Sequence, residues 1–234
     1  ILRLLNAAIF SISIYLLFNL TSKYFDKKTA QLTVLIFAIN PISIDVATLL
    51  FTEGLFLIFL FGSFILYERL KQEKKPFFTS LLLGVTMGLA AETRVVGIFL
   101  PFFFLLLAVL DKKIKVFIPA FIISILLVVQ YLLYTEGRFY LEKSDLNLEK
   151  YRLVVNKTLD FFNTLITIPF GSLFFIISLS SIYYLSKQKF EFSLFIVLYL
   201  ISIFTISTDI YPRLFQPVLP FLAISLGYSL FYFK

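Results

Sequence analysis

Long apolar segments separated by short polar turns run through the whole chain. A helix needs about 20 apolar residues, with a range of roughly 17–25, to cross a bilayer. The candidate membrane segments are residues 1–20, 30–44, 50–67, 77–91, 95–110, 116–134, 162–185, 191–207 and 212–233. The pattern therefore predicts an all-α, polytopic transmembrane helical bundle with about nine membrane segments in a single domain, residues 1–234.

Two of these segments are short. Residues 30–44 are interrupted by Asn40-Pro41, and proline disfavours helical backbone at the residue before it. Residues 77–91 contain Gly84 and Gly88. Short or broken helices are tolerated where they border protein or a water-filled cavity. Both segments end on the same predicted side, which indicates an external cavity there.

The polar turns alternate between two sides that differ in charge. Thirteen cations fall on one side: Lys23, Lys27, Lys28, Arg69, Lys71, Lys74, Lys75, Lys112, Lys113, Lys115, Lys187, Lys189 and Lys234. The short turns and ends of the other side hold only Arg3, Arg94 and Arg213. Because short cytoplasmic loops retain lysine and arginine, the lysine-rich loops are predicted to be cytoplasmic and residue 1 external.

One long loop, residues 135–162, falls on the external side. Its second half places Leu148, Tyr151, Val155 and Leu159 at helical intervals, with charged residues between them. This spacing predicts an amphipathic helix lying on the outer membrane surface.

The composition narrows the class of protein. With 60% hydrophobic residues and a mean hydropathy of +0.96, the chain is predicted to be an integral, multi-pass membrane protein. The net charge of +7 lies mostly in the short loops, so no nucleic-acid partner is predicted. The chain has no Cys and no His, which excludes disulfides, thiolate metal sites and a histidine base. Acid–base chemistry must use Asp, Glu, Lys or Tyr.

Two carboxylates, Asp45 and Glu53, bracket an external turn. If residues 45–53 are roughly helical, the two side chains lie within about 80° of each other around the axis. Both are candidate catalytic residues. The alternative for Glu53 is a helix N-terminal carboxylate stabilised by the helix dipole.

Arg94 lies at the apex between two apolar segments, and a guanidinium binds phosphate through two parallel hydrogen bonds. Its alternative role is to extend towards the lipid headgroups. Glu92 is a supporting candidate, and its spacing of two residues does not favour a pair with Arg94 on one helix.

Arg213 is the second candidate for binding an anion, with interfacial anchoring as the alternative. It directly precedes an apolar segment on the external side, where other cations are few. Asp209 and Tyr211 are supporting candidates beside it.

These stretches, in this order, resemble the GT-C class of polytopic membrane glycosyltransferases. The class includes the protein O-mannosyltransferases, the aminoarabinose transferases and the GPI mannosyltransferases. The motifs that carry the resemblance are Arg3-Leu4-Leu5-Asn6, Asn40-Pro41, Thr52-Glu53-Gly54-Leu55-Phe56, Gly88-Leu89-Ala90-Ala91-Glu92-Thr93-Arg94, and Arg213 with Pro217 and Pro220.

The resemblance implies transfer of a sugar, with inversion, from a polyprenyl- or dolichyl-phosphate donor to a protein, lipid or glycan acceptor on the external or lumenal face. It also implies a catalytic carboxylate in the first external loop. This chain resembles the family from the second span onwards, so the main base is expected upstream of Ile1 and the chain is expected to be a fragment. No cofactor is predicted, and the residues leave open whether a divalent metal assists. They also leave open a prokaryotic plasma membrane or an endoplasmic reticulum membrane.

Two other functions fit parts of the pattern. Broken helices and external carboxylates are also found in transporters and flippases. A non-catalytic membrane subunit related to such an enzyme would share the same motifs. Activity on a lipid-linked sugar separates the glycosyltransferase from both.

Overall fold

The structure is a computed structural model that describes residues 2–48, 52–73, 76–134, 182–183, 185–206 and 216–232. Every regular element in those ranges is helical, which confirms the predicted all-α class. The helices are α1 (Leu2–Tyr24), α2 (Lys27–Ala38), α3 (Pro41–Thr48), α4 (Glu53–Gln72), α5 (Phe77–Thr93), α6 (Phe99–Leu110), α7 (Ile114–Tyr134), α8 (Phe190–Ile206) and α9 (Leu219–Tyr232). A 3₁₀ turn, Val95–Ile98, joins α5 to α6.

The helices match the predicted segments to different degrees. By length and composition, α1 and α7 can each cross a membrane, and the bent pair α2–α3 can form a third span. The other apolar helices, α5, α6, α8 and α9, are shorter. The predicted loop 135–162 lies outside the described residues, as does segment 162–185 apart from 182–183 and 185. The total of about nine membrane segments stays a prediction.

The predicted break at Asn40-Pro41 is confirmed, because α2 and α3 meet there at an angle of 69°. Pro41 is the first residue of α3, where its missing N–H costs nothing. The Asn40 side chain accepts a hydrogen bond from the Ile42 N–H at 3.0 Å and so caps the new helix. Proline and asparagine together end one helix and begin the next.

The chain folds as two compact units. The single domain stays a prediction. Unit 1 comprises Ile1–Leu20 and Asp45–Glu142, and unit 2 comprises Thr21–Ile44 and Lys143–Lys234. In unit 1, α5 packs between α4 and α7. Phe64 of α4 contacts Phe103 and Phe104 of α6, with ring centroids 5.7 and 5.1 Å apart. Such aromatic pairs stabilise a core by about 0.5–1.5 kcal/mol beyond their burial.

Gly84 and Gly88 allow α5 and α7 to approach closely. A Cβ atom at Gly84 would lie 2.6 Å from the Ala120 carbonyl oxygen, and one at Gly88 would lie 2.4 Å from the Leu127 side chain. Small residues four positions apart are a common feature of helix contacts in membranes, where packing rather than water exclusion drives association. The two glycines therefore serve helix packing, and α5 remains continuous through both.

Pro119 lies inside α7 and removes one N–H from its hydrogen-bond ladder. The Ser80 hydroxyl of α5 accepts from the N–H of Ala120, the residue after Pro119, at 3.0 Å and donates to the Val116 carbonyl at 2.9 Å. A neighbouring helix thus supplies polar partners beside the proline, as membrane helices require.

One face of α7 carries exposed apolar side chains: Ile118, Ile122, Leu126, Val129 and Leu133. Their three- and four-residue spacing makes a continuous stripe along the helix. An exposed stripe of this kind suits contact with lipid.

In unit 2, α9 packs against α2, and Gly227 makes the contact close. A Cβ atom at Gly227 would lie 2.9 Å from the Thr33 hydroxyl oxygen. Phe221 of α9 also packs against Phe192 and Phe195 of α8, with ring centroids 5.5 and 4.5 Å apart.

Candidate functional site

Glu53 is the first residue of α4, and its side chain is only 5% exposed. The positive end of the helix dipole favours a carboxylate in this turn. Thr52, which precedes it, makes no side-chain capping hydrogen bond. The helix end therefore offers Glu53 a favourable field, although a buried carboxylate still needs a partner.

Arg94 is held in position by a compact turn at the end of α5. Its backbone is extended, with φ −150° and ψ 132°, and its carbonyl accepts from the Gly97 N–H at 2.7 Å. Gly97 packs directly on the last turn of α5, since a Cβ atom there would lie 2.4 Å from the Ala90 carbonyl oxygen. Only glycine fits this contact, so the 3₁₀ turn folds back and fixes the direction in which Arg94 leaves the helix.

The structure brings Arg94 and Glu53 together. Arg94 Nη1 lies 3.5 Å from Glu53 Oε1, and the arginine side chain is 9% exposed. The separation suits an ion pair but is long for a hydrogen bond. Neither Glu53 Oε2 nor Arg94 Nη1 has a hydrogen-bond partner among the described residues. In a buried ion pair the remaining donors and acceptors are normally hydrogen-bonded. Here Arg94 Nη1 can still donate a hydrogen bond and Glu53 Oε2 can still accept one.

Chemically, such a pair can hold a polar ligand. The guanidinium can donate to an anionic oxygen, and a phosphate is a good match for its geometry. The free carboxylate oxygen can accept from a hydroxyl or amine. In the described part of the chain, no group of three or more Asp and Glu side chains converges as a metal site would require.

The other predicted site residues are placed differently. Asp45 is exposed on α3, whereas Glu53 is buried on α4, and residues 49–51 between Thr48 and Thr52 lie outside the described residues. The hypothesis that a helical stretch over residues 45–53 sets the angle between the two carboxylates therefore stays a prediction. Glu92 is exposed in the last turn of α5. Asp209, Tyr211 and Arg213 lie outside the described residues.

Two buried polar residues were not identified as site candidates from the sequence. Asn6, 6% exposed, donates from Nδ2 to the carbonyl oxygens of Val46 and Ala47 at the end of α3. Gln216, in unit 2, is fully buried, and neither of its amide atoms has a partner among the described residues. For Gln216 the signal in the sequence is an amide within a largely apolar stretch, and Asn6 also belongs to the Arg3-Leu4-Leu5-Asn6 motif.

The chain is similar to one family of known sequences and to a solved structure. The family described as dolichyl-phosphate-mannose-protein mannosyltransferase matches residues 1–134. No curated protein sequence is similar enough to this chain to count as a match. Among solved structures, the crystal structure of ArnT from Cupriavidus metallidurans bound to undecaprenyl phosphate is similar, with a TM-score of 0.70 and 14% identity. That match covers 100% of this chain and 46% of the ArnT chain, so this chain spans less than half of ArnT's length. At this identity the likeness shows a shared fold.

Proposed function

The chain belongs to the dolichyl-phosphate-mannose-protein mannosyltransferase family, in the GT-C class, and we propose that it takes part in transferring a sugar from a polyprenyl- or dolichyl-phosphate donor to an acceptor. The family and the apolar helices make it an integral membrane protein. The observation that carries the proposal is the Glu53–Arg94 ion pair, in which one atom of each side chain is buried and has no hydrogen-bond partner in the part of the chain that the structure describes.

Arg94 is the proposed binding group for the donor phosphate. When the bond between sugar and phosphate breaks, negative charge develops on the departing lipid phosphate. A fixed cation in a site of low exposure stabilises that charge far more than one in water. Arg94 meets the requirement because its backbone is held by the 3₁₀ turn and its side chain is 9% exposed. The ArnT structure supports the choice of a lipid phosphate as ligand, since the lipid bound in it is undecaprenyl phosphate.

Glu53 is the proposed partner that orients Arg94. Its Oε1 lies nearest the guanidinium, which leaves Oε2 to accept a hydrogen bond from a hydroxyl of the sugar or from the acceptor. Asp45 is exposed on the neighbouring helix and is the proposed second carboxylate of the site. Arg213, with Asp209 and Tyr211, keeps its proposed role in holding the donor.

The reaction proposed is a direct displacement with inversion at the sugar carbon. An acceptor oxygen or nitrogen forms the new bond to that carbon while the bond to the phosphate oxygen breaks. The acceptor's proton passes to a carboxylate acting as general base. We propose the external or lumenal face for this step, because the lysine-rich turns are proposed to be cytoplasmic.

The test is transfer from a synthetic polyprenyl-phosphate mannose by the full-length protein in liposomes. We expect Arg94→Ala to lower the rate about 10²–10³-fold, the usual loss when one group that stabilises developing charge is removed. Arg69→Ala is the matched control, because Arg69 also pairs with a glutamate, Glu73, but is 66% exposed. Its rate should match the wild type.

Equal rates in Arg94→Ala and wild type would contradict the phosphate-binding role. A wild-type protein that inserts correctly but transfers no sugar would instead favour a non-catalytic subunit. Movement of the lipid-linked sugar across the bilayer without transfer would favour a flippase.

A further inference from the structure

The buried face of α1 lies within unit 1. Asn6, Phe10, Ser13 and Leu17 are all buried and follow one another at helical three- and four-residue intervals. Tyr15, on another side of the helix, is 63% exposed. Residues spaced in this way share one side of a helix. Of the two polar residues on this face, Asn6 and Ser13, Asn6 lies nearer the start of α1.

The Asn6 amide meets the last turn of α3. Its Nδ2 donates to the Val46 carbonyl at 2.7 Å and to the Ala47 carbonyl at 3.1 Å. The last four carbonyls of a helix have no partner within that helix. Asn6 therefore holds the last described turn of α3 from a separate helix, in a position only 6% exposed.

One turn further along α1, the same face meets the first turn of α4. A Cβ atom at Gly54 would lie 3.2 Å from Ile9 Cγ2 and 3.8 Å from the Phe10 backbone nitrogen. Gly54 directly follows Glu53. A single segment of α1 thus contacts both the helix that bears Asp45 and the helix that begins with Glu53.

We propose that Asn6 is a positioning residue for this site. By holding the Val46 and Ala47 carbonyls, it fixes the end of α3 against α1, and hence against the first turn of α4. Asp45 and Glu53 then face the donor and acceptor at a set separation. The inference rests on the proposed function of the Glu53–Arg94 pair. Catalytic groups must be held closely, since a displacement of about 1 Å can cost about 10²-fold in rate.

The chemistry of the contact explains why an amide suits position 6. Both partners are carbonyl oxygens, so the side chain must donate twice. An aspartate has the same shape, but its carboxylate would face two carbonyl oxygens with no proton to share. In the ionised form Asn6→Asp loses both hydrogen bonds, and in the protonated form, which burial favours, it keeps a single donor; either way the contact is weakened without a change in side-chain volume.

The direct test measures the distance between α3 and α4 in the full-length protein. The chain contains no cysteine, so nitroxide labels attach at the introduced Thr48→Cys and Leu55→Cys, both exposed positions. We expect a narrow distance distribution by double electron–electron resonance with Asn6 present. Asn6→Asp should broaden or shift it. Ser13→Ala, a buried change on the same face of α1, should leave it unchanged.

A distribution unchanged by Asn6→Asp would overturn the positioning role. If Asn6→Asp does not fold, Asn6→Ser provides the second variant, because it keeps one donor. The distance distribution of Asn6→Ser should be broader than that of the wild type or shifted from it. A distribution for Asn6→Ser identical to the wild type would likewise overturn the role.

Transfer kinetics then separate positioning from simple stability. We expect Asn6→Asp to lower the transfer rate at saturating donor at least about tenfold. In a protein that already carries Glu53→Gln, the same substitution should lower the rate further by less than about twofold, because both changes act through one group. Fully additive losses would contradict action through Glu53.

The kinetics also distinguish the two proposals. Wild-type transfer by Asn6→Asp, while Glu53→Gln is impaired, would overturn the positioning role alone. Wild-type transfer by both variants, with the label distance shifted, would overturn the proposed role of Glu53, and with it the positioning role, and leave Asn6 as a structural contact. A wild-type protein that inserts but transfers no sugar would instead overturn the proposed function.

Discussion

At one end of unit 1, Arg69 pairs with Glu73 at the surface, whereas at the other end Arg94 pairs with Glu53 in a buried position. We call these the lysine end and the Arg94 end. At the lysine end most polar groups have partners, although Glu68 Oε1 is ion-paired with Lys71 and has no hydrogen bond among the described residues. Thr79 donates to Glu73, Tyr67 donates to Asp111 at 2.9 Å, and Lys71 lies 3.4 Å from the same carboxylate. At the Arg94 end, Glu53 Oε2 and Arg94 Nη1 have no hydrogen-bond partner among the residues that the structure describes.

The difference in hydrogen bonding indicates that the lysine end is a stabilising surface and that the Arg94 end is a candidate site. Exposed ion pairs contribute about 0–1 kcal/mol, and their hydrogen bonds are readily completed by water. A buried pair incurs a desolvation cost that incomplete hydrogen bonding does not offset. The chain retains such a pair at the Arg94 end, which is the reason to propose that a ligand completes it.

The largest expected effect comes from neutralising one side of the buried pair. Glu53→Gln leaves Arg94 buried without an opposing charge, so we expect a loss of about 3–5 kcal/mol in the free energy of unfolding. Thermal unfolding of the purified protein in detergent measures it. Glu73→Gln, at the lysine end, is the matched control and should shift the transition little. Equal shifts in the two variants would remove the contrast between the ends.

A smaller loss is expected from Gly97→Ala. The new methyl group would lie 2.4 Å from the Ala90 carbonyl oxygen, so the 3₁₀ turn must move. Strain of this kind costs about 1–3 kcal/mol, and we expect transfer to fall because Arg94 moves with the turn. Gly62→Ala is the control, since nothing lies within 4 Å of its added carbon. Unchanged transfer by Gly97→Ala would show that the turn does not position Arg94.

Ser80→Ala tests hydrogen bonding away from the Arg94 end. Removing the hydroxyl leaves the Ala120 N–H and Val116 carbonyl without their bridge beside Pro119. We expect a stability loss of about 1 kcal/mol with the rate of transfer unchanged. The exposed Ser11→Ala should change neither quantity. A drop in transfer for Ser80→Ala would mean that the Arg94 end depends on packing far from it.

The smallest effect concerns pH at the lysine end. The hydrogen bond from Thr79, together with Arg69, holds the pKa of the Glu73 carboxyl below its ordinary value. A carboxyl whose pKa is lowered on folding stabilises the protein above its unfolded pKa, and this contribution is lost as the pH falls through the folded pKa. We therefore expect wild type and Thr79→Val to differ slightly in melting temperature near neutral pH and to converge in acid. A difference that grows in acid would contradict this sign.

Features that depend on local backbone chemistry were predictable from the sequence. The break at Asn40-Pro41 follows from proline geometry, and the structure has its bend there. The apolar segments also predicted the all-helical class. Glu53 and Arg94 were identified because each is charged beside apolar runs, where a charge is costly.

Their pairing was not predictable. It depends on how α4 packs against α5, and no local pattern encodes that contact. Asn6 and Ser80 bond to backbone groups of other helices. Every residue has such groups, so the sequence does not show which ones are used. Arg213, Asp209 and Tyr211 stay predictions.

The measurement that most directly tests the account is the binding of polyprenyl phosphate to the full-length protein, compared between wild type, Arg94→Ala and Arg69→Ala. A charge-assisted hydrogen bond contributes about 1.5–3 kcal/mol, so Arg94→Ala should weaken binding about tenfold or more. Arg69→Ala should bind like the wild type. Equal affinity in all three proteins would contradict the claim that the buried pair holds the donor phosphate.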